Sequence, residues 1–273
     1  MDATITPPPP NPPELPESAA PRWPAWYAGV AFVVGIIGTL IVVTIVSLAA
    51  GVDVDAEDPA FTIVATLIQS AIFIGTALLF ASMTAPPRPW QFGLRRTALW
   101  PAVGWAALGL VAFYVFAAVY SAILQPDADQ TVAQDLGADS GTFGLVAAGF
   151  MVVCVAPFAE EFFFRGFFYK ALRTRFPVLV AAIIDGGLFG VIHFSGNGTE
   201  EILLPLALLG FTFCLVYERT GSIFPVIAMH SINNSIAFAA QTDGWAVSVV
   251  LGPLVILACM VVPRFARPAA VLR

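Results

Sequence analysis

Eight stretches of nearly continuous apolar residues run along this chain, at 26–50, 60–83, 99–124, 142–170, 177–195, 202–218, 222–240 and 245–263. A helix that crosses a bilayer needs about 20 mostly apolar residues. The pattern therefore predicts an all-α, polytopic transmembrane bundle of about eight spans, filling 26–263 as one domain. The breaks between the stretches are short and polar, and they leave no room for a second, soluble domain. No internal repeat is evident.

The signs of the breaks alternate. Arg88, Arg95 and Arg96 fall in the loop 84–98. Lys170, Arg173 and Arg175 follow the fourth stretch, Arg219 the sixth, and Arg264, Arg267 and Arg273 close the chain. The intervening breaks hold Asp53, Asp55, Glu57, Asp58, Asp127, Asp129, Asp135, Asp139, Glu200, Glu201 and Asp243, with no Lys or Arg. Basic loops stay in the cytoplasm, so both termini are expected there, and the plasma membrane is the expected location.

Composition agrees with a membrane protein. Apolar residues make up 59% of the chain and charged ones 11%, against about 25% charged in soluble domains. The net charge of −6 says little, because the two signs are segregated, and no nucleic-acid partner is expected. Residues 1–25 hold Pro7 to Pro10 and Pro12-Pro13 with almost no aliphatic side chains. That composition predicts a disordered cytoplasmic tail, and 264–273 reads as a second tail. The first 25 residues also lack the basic start and short apolar core of a removable signal, so the first span is expected to be retained. Cys154, Cys214 and Cys259 lie singly in apolar stretches, which suits packing.

Ionisable residues at the bilayer centre cost about 2.5–3.5 kcal/mol each on insertion scales, so they mark sites. Here they are Glu160, Glu161 and Arg165 in the fourth stretch, Asp185 and His193 in the fifth, and His230 with Asn233 and Asn234 in the seventh. Both histidines of the chain are among them. Residues four apart share a helix face, so Glu161 and Arg165 can neutralise each other, and His230 and Asn234 point the same way. Glu160, turned by about 100° from Glu161, is left to face the interior. Interhelical hydrogen bonding is the plainer use for any one such residue, but two adjacent glutamates and both histidines exceed what packing needs. Asp185 is open between lining the same cavity and pairing with a basic group. Gly186-x-x-x-Gly190 serves packing within the bundle or dimerisation equally well. Counted from the basic turns, Glu160 and His193 lie deeper than His230, by up to about 10 Å at 1.5 Å per residue. Tilt or a kink at Pro157 would bring them level, and Pro157, just before Glu160, can open backbone groups to the interior.

Glu160-Glu161-Phe-Phe-Phe-Arg165, Phe189-Gly-Val-Ile-His193 and His230-Ser-Ile-Asn-Asn234 together resemble the three signatures of the CPBP intramembrane protease family. That family includes the type II CAAX prenyl endopeptidases and bacterial bacteriocin-processing or immunity proteins. The likeness covers about 142–240. Tyr217-Glu-Arg-Thr-Gly-Ser-Ile223 is also similar to family members, and Phe92-Gly-Leu-Arg-Arg96 more weakly. Asp185 departs from the pattern, since relatives more often carry a small or hydroxyl residue there.

The resemblance implies an endopeptidase acting on a membrane-associated protein or peptide. Glu160 would be the general base for a water and His193 would help bind that water or a metal. His230 with Asn234 would complete the site or stabilise the oxyanion, with Glu161 and Arg165 as a supporting pair. A poorly solvated carboxylate and an amide donor suit peptide hydrolysis. Glu160, His193 and His230 would make an ordinary set for a divalent metal such as zinc, but the same residues can activate water without one. No Ser or Cys stands in a nucleophile motif, Ser231 included. Two other classes remain open: a non-enzymatic scaffold or immunity factor on the same framework, and a proton-relaying transporter, which the missing duplication disfavours.

Overall fold

The computed structural model describes residues 23–53, 58–126, 131–194 and 200–265. These residues form eight long helices and no strand: α1 Ala25–Ala50, α2 Pro59–Ser82, α3 Leu99–Leu124, α4 Gly141–Arg173, α5 Val178–Val191, α6 Glu200–Thr220, α7 Phe224–Gln241 and α8 Trp245–Phe265. Each coincides with one apolar stretch of the sequence. Six of them, all but α5 and α7, are long and apolar enough to cross a membrane by length and composition. The chain is an integral, multi-pass helical bundle. Expectations for most of the first 25 residues and for 266–273 fall outside the described residues. Trp23 is already packed in the core, 2% exposed, against Phe92 and Phe167 at ring distances of 5.1 and 5.0 Å.

Helix ends follow from local chemistry. Asp58 caps α2, its Oδ1 accepting from the amides of Ala60 and Phe61 at 2.9 and 3.1 Å, with Pro59 in the first turn. Pro177 precedes α5 and Pro225 sits in the first turn of α7, where a missing N–H costs nothing. At 14 residues, α5 is about 21 Å long, ending before the stretch that the sequence marks as 177–195. His193 follows in the turn after it.

The core is aromatic and centred on α4. Phe162, Phe163, Phe164, Phe167 and Phe168 are all buried, against Phe73 of α2, Phe32 of α1 and Phe189 of α5. At the basic end, the connection between α2 and α3 straps α4 to the α6–α7 turn. Phe92 stacks on Phe162 at 4.7 Å, and Lys170 Nζ donates to the Gln91 carbonyl. Arg95 Nε donates to Gly221 O, Ser222 Oγ to Arg95 O at 2.8 Å, and the Ile223 amide to Gly93 O at 3.0 Å. The Phe92–Arg96 and Tyr217–Ile223 motifs are thus two halves of one clamp. Gly93 has φ +78°, and a Cβ there would lie 2.8 Å from the Tyr217 ring.

Gly186 and Gly190 resolve as packing within the bundle. A Cβ on Gly186 would lie 2.5 Å from Ala207 O, and one on Gly190 2.7 Å from Leu203 O. The α5 and α6 backbones meet here at the closeness that small residues permit. Gly187→Ala is the matched control, since a Cβ at Gly187 meets nothing within 4 Å. Gly186→Ala is expected to lower stability in detergent by about 1–3 kcal/mol, while Gly187→Ala stays within about 0.5 kcal/mol of the parent. Equal melting temperatures for the two variants would show that this contact is loose.

Candidate functional site

Two π-helical segments, Met151–Val155 and Phe164–Phe168, interrupt α4 on either side of Glu160 and Glu161. Such bulges are frequent at functional sites. The first has a visible cause and consequence. The Ala156 amide bonds to Met151 O, and Pro157 has no N–H to offer. The Val152 carbonyl is therefore left without its usual helical donors, and Asn234 Nδ2 of α7 donates to it at 2.9 Å. Pro157 opens the α4 backbone as the sequence suggests, and the group it opens is what Asn234 holds.

Glu161 is more than half of a helix-surface pair. Its Oε1 accepts from Arg165 Nη1 at 2.9 Å and lies 2.9 Å from His230 Nδ1. Because a carboxylate paired with a guanidinium only accepts, Nδ1 carries the proton. That fixes the ring so that Nε2 faces Glu160, 3.8 Å from Oε2. Glu160 side-chain exposure is 16% and Glu161 exposure is 0%, so the adjacent glutamates do diverge, one toward an accessible space and one into the protein. Glu160 Oε2 has no hydrogen-bond partner among the described residues. His230 therefore sits level with the glutamates despite its different count from the basic turn. The clamp accounts for this, because it holds the start of α7 against the loop that also grips α4.

Arg165 is fully buried, and its neighbours account for its survival there. Besides Glu161 it has Asp185 Oδ1 at 3.5 Å from Nε and donates from Nη2 to Gly210 O at 2.8 Å. The faces of Phe189 and Phe213 lie 4.6 and 5.1 Å from its central carbon, within cation–π range. Asp185 thus pairs with a basic group; it is wholly buried and does not line an open cavity. Cys214 donates its thiol to Asp185 Oδ1 at 3.1 Å.

His193 donates from Nδ1 to the Phe189 carbonyl at 2.7 Å, a carbonyl being an acceptor only, which leaves Nε2 available. Its ring lies 4.9 Å from Phe189, and the same phenyl lies 5.7 Å from His230. Asn234 commits one Nδ2–H to the Val152 carbonyl, about two helical turns before Glu160 on α4. Among the described residues, no group of three or more His, Cys, Asp or Glu side chains is placed to hold an ion. Each histidine has Nδ1 engaged by an acceptor, which leaves Nε2 as the other nitrogen of each ring, and the Phe189 ring lies against both.

The comparison with known proteins falls on these elements. Residues 142–236 match the Rce1-like family of type II CAAX prenyl endopeptidases. The resemblance read from the three motifs is borne out over that region, which runs from the start of α4 to the middle of α7. Two proteins of Bacillus subtilis (strain 168) are similar. "Uncharacterized protein YyaK" is 36% identical over 96 residues, 33% of this chain and 32% of that protein. "Putative membrane peptidase YdiL" is 32% identical over 89 residues, 33% of this chain and 35% of that protein. The match spans about a third of the length of each relative. No solved structure matches the chain significantly.

Around the Rce1-like motifs the structure adds residues that sequence reasoning missed. Tyr114 of α3 donates to Asn233 Oδ1 at 3.1 Å, and Asn233 Nδ2 to Asn234 Oδ1 at 3.3 Å, so a relay that begins at Tyr114, outside the matched region, orients Asn234. Nothing in the apolar α3 stretch marks Tyr114. The Arg165 cage did leave a trace: Asp185 and Phe189 are spaced by four and share one face of α5, as Gly210 and Cys214 do on α6.

Proposed function

We propose that this protein is an intramembrane endopeptidase that hydrolyses a peptide bond of a membrane-associated protein or peptide. The observation that carries the reading is Glu160 Oε2, buried without a hydrogen-bond partner among the described residues and 3.8 Å from His230 Nε2. That separation is too long for a direct hydrogen bond and suits a bridging water. Glu160 takes a proton from this water as its oxygen attacks the scissile carbonyl carbon, then returns the proton to the leaving amine. The carbonyl oxygen becomes an oxyanion, for which α7 offers the second N–H of Asn234, whose first is committed to Val152, while His230, held by Glu161 through its Nδ1–H, accepts from the water at Nε2. His193, whose Nε2 has no partner among the described residues, contacts the substrate or the water.

The basic loops at one end of the bundle support cytoplasmic termini and a plasma-membrane location. The test is a comparison of membrane-protein N-termini by quantitative mass spectrometry, in cells carrying the parent or Glu160→Gln. New termini from one or a few membrane proteins, present with the parent and lost in the variant, are expected. Identical sets of termini at equal protein levels would sink the proposal and favour a non-enzymatic scaffold.

A further inference from the structure

The buried cluster behind His230 holds one more carboxylate than a guanidinium needs. Glu161, Arg165 and Asp185 are each 0% exposed, and burying an ionised carboxylate costs several kcal/mol unless it is matched. Glu161 alone would neutralise Arg165. Asp185 nevertheless approaches the opposite edge of the same guanidinium, at Nε, and is itself held by the Cys214 thiol. Arg165 is fixed from three other sides, by Gly210 O, by the Phe189 ring and by the Phe213 ring. Those two rings also pack on the His230 imidazole, at 5.7 and 5.1 Å. The guanidinium and the imidazole thus share one aromatic cage and one oxygen, Glu161 Oε1.

We propose that Asp185 is a positioning residue for the His230 imidazole, acting through Arg165 and Glu161, with the Cys214 thiol holding the Asp185 carboxylate in place. The physical reason is competition. A cation shared between two carboxylates neutralises neither, so Glu161 keeps charge for the bond to His230 Nδ1, and hydrogen bonds to an ionised acceptor are shorter and about twice as strong as neutral ones. Without Asp185, Arg165 belongs to Glu161 alone and the hold on the imidazole slackens. The Nε2 atom then loses its fixed direction toward Glu160. This role gains its catalytic meaning from the proposed endopeptidase reading, but the geometry it predicts can be measured without turnover.

The chain has two histidines, so protein labelled with ¹⁵N in its imidazoles and reconstituted in nanodiscs gives two ring spin systems. Glu161→Gln identifies the one belonging to His230. In the parent, the His230 Nδ1 proton is expected far downfield and slow to exchange. Asp185→Asn should shift it upfield and speed its exchange, leaving His193 unmoved. Cys214→Ala should shift it the same way by less, and Cys214→Ser, which keeps a donor, should stay at the parent position. An Asp185→Asn protein with unchanged His230 signals overturns the proposal. If that variant does not fold, unchanged His230 signals in Cys214→Ala overturn it instead. Shifted signals with no cleavage activity in any variant, parent included, would uphold the positioning role and reject the endopeptidase reading.

Discussion

Glu160→Gln is expected to lower turnover of a cleaved membrane substrate by about 10²–10⁴-fold, the usual weight of general base catalysis, with no loss of folded protein. Glutamine keeps the shape of the side chain but cannot take a proton from water. The site tolerates the change because Oε2 has no hydrogen bond to lose among the described residues and the side chain is partly accessible. Cleavage per folded molecule, measured beside the melting temperature in detergent, separates the two quantities. Parental turnover in this variant would mean that the base lies elsewhere.

The largest stability effect is expected at Arg165, not at Glu161. From the sequence, Glu161 and Arg165 form an isolated pair, so removing either would strand the other, and removing both would restore the balance. The structure changes this arithmetic. Arg165 faces Asp185 as well, so Glu161→Gln leaves a matched Arg165–Asp185 pair and costs comparatively little in stability, while freeing His230 and reducing activity. Arg165→Met strands two buried carboxylates, and breaking one buried pair already costs about 3–5 kcal/mol. The Arg165→Met protein should fail to accumulate, and adding Glu161→Gln should not rescue it, because Asp185 remains uncompensated. Rescue should need Asp185→Asn in addition. The check is the yield of monodisperse protein across the series. Full recovery in the Glu161→Gln, Arg165→Met double variant would show that Asp185 does not depend on Arg165.

These two expectations mark where sequence stops being legible. Helix positions were readable because the length of an apolar run is a direct consequence of bilayer thickness. The i,i+4 pairing of Glu161 with Arg165 was readable because it lies within one helix. Contacts between helices were not, since periodicity says which residues share a face and nothing about which face meets which neighbour. The approach of His230 to Glu161, the Asp185–Arg165 pair and the Tyr114–Asn233 bond all belong to that class. The Asn234–Val152 bond was half legible. Pro157 announced an exposed carbonyl, but the π-helical register that selects Val152 depends on how α4 packs.

The brevity of α5 reaches beyond the protein into its solvent. A helix of 14 residues is about 21 Å long, against a hydrocarbon core of about 30 Å. Several of its apolar residues face outward from the bundle, among them Leu179 and Ile183 at 60% and 63% exposure. Such a mismatch is met by thinning the bilayer nearby, at a cost of fractions of a kcal/mol per Å. Alongside α5 the membrane should therefore be pinched, and His193 sits beside the pinch. A substrate helix arriving there would find its end less deeply covered by lipid than elsewhere. Cleavage in vesicles should accordingly fall as acyl chains lengthen, and a rate indifferent to chain length would argue that the neighbouring helices, not the lipids, fill the gap.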